Sequence, residues 1–188
     1  MSEPLWRPSP ETIANSNLTA FMHFLRREYG ASFRDTDDLH AFSVRAATVF
    51  WPALWDFLGF IGDKGAPPYL VDGDKMPGAQ FFPDAQVNYA ENLLRRSDDE
   101  TAVVFRAEDK LERRMSWAEL HAQVSQLQQV LRAHGVVAGD RVAAMMPNAP
   151  ETLVALLAAA SIGAVFSSCS PDFGVKGVLD RFGQIEPK

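Results

Sequence analysis

A chain of 188 residues with 47% hydrophobic and 22% charged content has the material for one domain with a sizeable core. Its net charge of −6 at pH 7 excludes the basic face that a nucleic-acid binder needs. The single cysteine, Cys169, excludes an internal disulfide framework and a cysteine-based metal centre, so no residue is assigned to a metal. The opening Met1-Ser2-Glu3-Pro4 lacks the basic and apolar regions of a secretory signal, and the apolar stretch 149–162 is too short to span a bilayer. A cytoplasmic protein without a membrane span is the expectation.

In chain order, Ser9-Pro10-Glu11 can start one short helical turn. Asn17 can cap a helix to Tyr29, with Leu18, Phe21, Leu25 and Tyr29 on one face and Gly30 as its stop. Asp35, Asp37 and Asp38 read as a solvated loop face. Phe50, Trp51, Trp55, Phe57 and Phe60 form an aromatic stripe read as core, in which Trp51 and Trp55 share a helix face and Pro52 demands a kink or a fresh start. Residues 59–88 are rich in Gly and Pro; Gly62-Asp63-Lys64-Gly65 reads as a turn, since it lacks the ending of a phosphate loop. Asn88 and Glu91 have capping-box spacing and open a short helix to about Arg95.

A hairpin follows: Thr101 to Arg106, a charged turn at Glu108-Asp109-Lys110, and a return arm from Leu111 to Met115. Ser116 and Glu119 make a second capping box, and Leu120, Val124, Leu127 and Leu131 form the apolar stripe of the next helix. Gln123, Gln126, Gln128, Gln129 and Arg132 face water in this reading, and Gly135 is the stop. Val142 to Met146 reads as a strand. Asn148 caps the next helix with Glu151, Pro150 lies in its first turn, Leu153 to Ile162 is buried all round, and Gly163 ends it. Ala164-Val165-Phe166 is a short strand, parallel to the preceding one because a helix joins them. Val175 to Gln184 is a last helix with Val178, Leu179 and Phe182 inward, and Ile185 to Lys188 runs up to a further strand. From residue 101 the order is ββαβαβα.

Chemistry-bearing patterns are few. No nucleophile elbow, dinucleotide fingerprint or Walker loop occurs, so no catalytic residue is assigned. His23, His121 and His134 fall on predicted helices, and none of the four histidines, His40 included, has metal-ligand spacing. Cys169 reads as a small buried thiol rather than a nucleophile. Ser167 to Gly174 lies beyond the carboxyl end of a strand, where ligands collect in parallel sheets. Two readings of it stand side by side: a loop presenting N–H groups to a phosphate or nucleotide, or a plain polar strand–helix connection.

Several segments resemble the adenylate-forming acyl-CoA synthetases of the acetyl-CoA/acetoacetyl-CoA synthetase branch. Phe50 to Phe57 resembles the aromatic N-terminal cap of that branch, and Phe82 to Leu94 its signature around Asn88-Tyr89-Ala90-Glu91-Asn92-Leu93-Leu94. Met115 to Leu120, and Gly139 to Val142 with Ser161 to Val165, are similar to motifs of the family's core. Ser167 to Val175, followed by Asp180-Arg181-Phe182, looks most like the acetoacetyl-CoA synthetases; acetyl-CoA synthetases carry an aromatic-Gly-Gly-Phe run there.

The resemblance implies an α/β fold: an N-terminal helical cap over 1–98 and, over 99–188, the first and incomplete portion of the layered α/β AMP-binding domain. It implies a ligase reaction in which a carboxylate and ATP, with magnesium, form an acyl-adenylate and CoA then displaces AMP. The family's CoA-adenine stretch, aligned without gaps, falls on Ser170, Pro171 and Asp172, the implied CoA contact. The phosphate loop, acyl pocket, ribose-binding aspartate and catalytic lysine lie further along in the family than Lys188. Residues 1–188 alone are therefore expected neither to adenylate acetoacetate nor to bind ATP tightly. The alternatives are a piece of an acetyl- or propionyl-CoA synthetase, and a non-catalytic module that binds a partner through its sheet edge. An unpaired edge and unmatched apolar helix faces also predict self-association.

Overall fold

A computed structural model describes residues 5–108 and 111–188. The Met1–Pro4 start, and Asp109 and Lys110 of the expected charged turn, lie outside the described residues. The chain divides into two compact units, Met1–Gln86 and Val87–Lys188.

In the first unit Ser9 caps α1 (Pro10–Ala14). Ser16, not Asn17, caps α2 (Asn17–Tyr29): its hydroxyl accepts from the Thr19 N–H and donates to the Ile13 carbonyl, closing α1 and opening α2 with one side chain. Gly30 ends α2 at φ 66°, as the sequence requires. Phe21 and Leu25 are buried, while Leu18 and Tyr29, expected on the same apolar face, stay more than two-fifths exposed.

Helix α3 (Thr36–Arg45) occupies the stretch read as an acidic loop. Asp35 is its N-cap, and Asp37 and Asp38 lie in its first turn, where negative charge meets the positive end of the helix. Arg34 reaches Asp38 at 2.7 Å, and this hydrogen bond holds the Asp38 carboxyl at about 2. Helix α4 (Ala47–Leu58) runs through Pro52, so Pro52 marks no fresh start. Pro52 and Ala53 are both buried, and that packing offsets the backbone bond that proline cannot make.

The aromatic stripe divides. Phe50, Leu54 and Phe57 join the core of Phe21, Leu25, Leu39 and Ala53. Trp51 instead meets Phe81 edge-on at 5.6 Å, and Trp55 packs on Phe60 and Phe82. Phe81 belongs to β2 (Gln80–Phe81), which pairs antiparallel with β1 (Leu70–Val71). A bridge between Asp63 and Gln86 closes the glycine-rich loop, and the Asp63 carboxylate accepts from Gly65 N–H, a turn as read.

In the second unit Asn88 caps α5 (Tyr89–Leu93). Strands β3 (Thr101–Arg106) and β4 (Glu112–Ser116) form the expected antiparallel hairpin, with an irregularity between Thr101 and Val103. Helix α6 (Trp117–Ala133) opens on a complete capping box between Ser116 and Glu119. Strands β5 (Arg141–Met145) and β6 (Val165–Cys169) pair in parallel across α7 (Pro150–Ser161). Ala90, Leu120, Val124, Val154, Leu157 and Ala158 make one core, and Val136, Ala159 and Ala164 a second.

The α/β character and the order ββαβαβα are as expected, but the strands make separate two-stranded ladders rather than one sheet. Two local expectations fail in α7 and α6. Ala149, not Asn148, caps α7, without a side-chain bond; the Thr152 hydroxyl donates to the Pro147 carbonyl instead. Gln128 does not face water: its amide donates to the Ser161 hydroxyl at 2.8 Å, tying α6 to α7. No helix among the described residues is long and apolar enough to cross a membrane.

Candidate functional site

The carboxyl end of β6 is the edge to which the sequence points. The strand runs three residues further than expected: Ser167, Ser168 and Cys169 pair with Ala143, Ala144 and Met145. Ladder hydrogen bonds run between backbones and do not depend on the side chains, so two serines lie in the strand rather than in a loop. Cys169 is buried, as read, and its carbonyl accepts from Met146 N–H.

The connection therefore shortens to Ser170 and one 3-10 turn, Pro171–Phe173, before α8 (Gly174–Ile185). Ser170 is its organiser. Its hydroxyl donates to the Asp172 carboxylate at 2.9 Å and accepts from the Asp172 N–H, while its carbonyl accepts from Phe173 N–H. Pro171 has no N–H to offer. The loop's own polar groups thus consume its N–H donors at 172 and 173. The first N–H groups of α8 have no side-chain cap. Ser170 is half-buried, and Pro171 and Asp172 are exposed. Gly174, at φ 62°, makes the corner into α8.

Helix α8 departs from expectation. None of its residues is buried, and Leu179, expected inward, is 67% exposed; only Val178 and Phe182 of the predicted inward set are half-buried. Its far end is held by polar groups instead. The Arg141 guanidinium donates to the carbonyls of Ile185 and Glu186 at 2.8 and 3.1 Å. Lys188 N–H donates to the Arg141 carbonyl at 2.9 Å, and its ammonium bonds the Gly135 carbonyl and the Asp140 carboxylate. The Asp140 carboxylate also accepts from Val137 N–H at 2.8 Å. That backbone bond, with Lys188 beside it, holds the Asp140 carboxyl below the ordinary carboxylate range.

Two groups that shape the surroundings of β6 were not legible as such. Asn88 caps α5 and also donates from its side-chain amide to the carbonyls of Ala160 and Ser161, at the end of α7. Arg181 lies with its guanidinium 3.8 Å from the Phe173 ring centroid. The first needs a partner 72 residues away, and only the second had a local signal, the eight-residue spacing from the turn into α8. Among the described residues, no three His, Cys, Asp or Glu side chains gather into a group that could hold a metal ion.

A parallel strand pair, a buried connecting helix and a polar turn at the strand's end make an α/β unit. The chain belongs to the AMP-binding enzyme family, whose model matches residues 90–188. The Acetoacetyl-coenzyme A synthetase of Rhizobium meliloti (strain 1021) is 54% identical over 185 residues, covering 98% of this chain and 28% of that protein. The solved Acetoacetyl-CoA Synthetase from Streptomyces lividans matches with TM-score 0.88 and 40% identity, over 99% of this chain and 29% of that one. Brucella canis Acyl-CoA Synthetase matches with TM-score 0.51 and 25% identity, over 54% of this chain and 19% of that one. The chain thus spans a little over a quarter of the length of these two acetoacetyl-CoA synthetases.

Proposed function

We propose that these residues are the N-terminal portion of an acetoacetate–CoA ligase. In this reading the acetoacetate carboxylate attacks the α-phosphorus of ATP and pyrophosphate leaves. The CoA thiolate then attacks the acyl-adenylate carbonyl and AMP leaves. Magnesium accompanies ATP. Residues 1–98 are the helical cap and 99–188 open the AMP-binding domain. Ser170, Pro171 and Asp172 line the CoA side, in a cytoplasmic enzyme.

One observation carries the reading. The likeness to the two acetoacetyl-CoA synthetases extends over both units, at 98% and 99% of the chain, whereas the Brucella canis protein shares little more than half of it. The likeness to acetoacetyl-CoA synthetases therefore includes the first unit.

The test is ATP–pyrophosphate exchange by the complete ligase with acetoacetate, acetate and propionate compared. Exchange driven best by acetoacetate is expected. Preference for acetate or propionate overturns the substrate, and no exchange with any of them overturns the ligase. Residues 1–188 alone are expected to be silent in the same assay.

A further inference from the structure

We propose that Arg181 binds a phosphoryl group of a nucleotide substrate, using Phe173 as a rigid backing and Gly177 as the groove that lets it lie there. The inference rests on the ligase reading, which requires two phosphate-bearing substrates, ATP and CoA.

Side chains on a helix lean toward its N-terminus. Arg181, two turns into α8, therefore leans back toward the Ser170–Gly174 corner at the carboxyl end of β6, the edge where α/β sheets receive ligands. Its guanidinium rests 3.8 Å from the centroid of Phe173, well inside the range of a cation–aromatic contact. The guanidinium passes close to Gly177: a Cβ there would stand 3.2 Å from the Phe173 Cβ and 3.4 Å from Arg181 Nη1, so a larger residue needs these neighbours to give by a few tenths of an ångström. Phe173, Gly177 and Arg181 recur every four residues and work as one unit.

The stacked guanidinium is oriented but barely used. It donates once, from Nη1 to the Gly177 carbonyl at 3.1 Å. Five N–H donors are available to an arginine, and the remaining four have no acceptor among the described residues. Neither nearby carboxylate pairs with it: the Asp172 carboxylate takes the Ser170 hydroxyl, and Asp180 forms no ion pair among the described residues. A planar fork resting 3.8 Å from an aromatic centroid, with four donors unused among the described residues, matches bidentate phosphate recognition. A stack serving only to stabilise α8 would need neither the free edge nor a position beside the turn.

The complete ligase is assayed as R181Q, R181K and G177A in two formats. Acetoacetate-dependent ATP–pyrophosphate exchange without CoA reads the ATP site; thioester formation with CoA varied reads the CoA site. R181Q is expected to raise KM for one of the two nucleotides about tenfold or more, with kcat nearly unchanged. R181K should recover part of that loss, and G177A should raise the same KM by less. A rise in the ATP KM assigns the phosphate to ATP, and a rise confined to CoA assigns it to CoA. Unchanged KM values for both nucleotides in an R181Q enzyme that melts like wild type overturn the proposal. A wild-type enzyme with no exchange overturns the ligase reading instead and leaves a different signature.

Discussion

Helices α7 and α8 have the same length, 12 residues, and flank the same strand, β6, yet they sit in opposite environments. Helix α7 buries Val154, Leu157, Ala158 and Ala159, and from Thr152 to Ser161 no residue is exposed. Helix α8 buries nothing and leaves Val175 78% and Leu179 67% exposed. An apolar face records what a helix needs, and burial is met only where other elements supply the cover. For α7 that cover comes from α5, α6 and β6, all within the second unit. For α8 the described residues supply little beyond the polar clasp at Arg141 and Lys188.

The largest test of this contrast is Leu157→Ala against Leu179→Ala. Leu157 is 2% exposed, and its truncation should cost about 2–5 kcal/mol, read by urea unfolding. Leu179→Ala should cost about 0.5 kcal/mol or less. Equal costs would break the comparison, because they would place α8 in a core.

Asn88→Ala comes next. It removes the α5 cap and two donors to the end of α7, and should cost about 1–3 kcal/mol. Amide exchange should quicken at the end of α7 while α8 is unaffected; uniform quickening would show that the two helices open together.

A smaller effect concerns association rather than folding. Residues 1–188 should self-associate through the open face of α8, and Leu179→Glu should shift sedimentation toward monomer without changing the unfolding midpoint. A wild-type chain that sediments as monomer at all concentrations would remove the argument for an adhesive face.

The smallest concerns the clasp at the end of α8. The Asp140 carboxyl is held below its ordinary value, so it contributes stability that is present above about pH 4 and is lost as pH falls through the lowered value. Asp140→Asn should flatten that acid limb and leave the neutral-pH slope alone. An unchanged limb would mean that the Val137 and Lys188 contacts do not outlast exchange with water.

Much of the local structure was legible because its causes are local. The Ser116–Glu119 capping box, the stops at Gly30 and Gly163 and the β3–β4 hairpin each depend on residues a few positions apart. The misreadings share the opposite cause. Asn17 and Asn148 are plausible caps, but the chain's path gave the positions to Ser16 and Ala149. Gln128 looks solvent-facing until Ser161 arrives beside it from α7. Ser167 to Cys169 look like loop until β5 offers them a ladder. The edge where the candidate site sits was readable from the strand–helix–strand pattern. The Phe173–Gly177–Arg181 stack was present as spacing, but spacing alone does not distinguish a stacked arginine from a solvated one.

The sequence by itself determined most of the helices and strands of the second unit, which apolar positions need cover, and where a parallel pair would open toward a ligand, while α3, β1 and β2 escaped it. These follow from backbone preferences, capping and hydrophobic period, all of which act over a few residues. The tertiary structure alone decided which faces received that cover, how far β6 extends, what Asn88 holds besides its own helix, and where the Arg181 guanidinium rests. Those outcomes depend on groups distant in the chain meeting in space. No local pattern encodes whether a partner will be there.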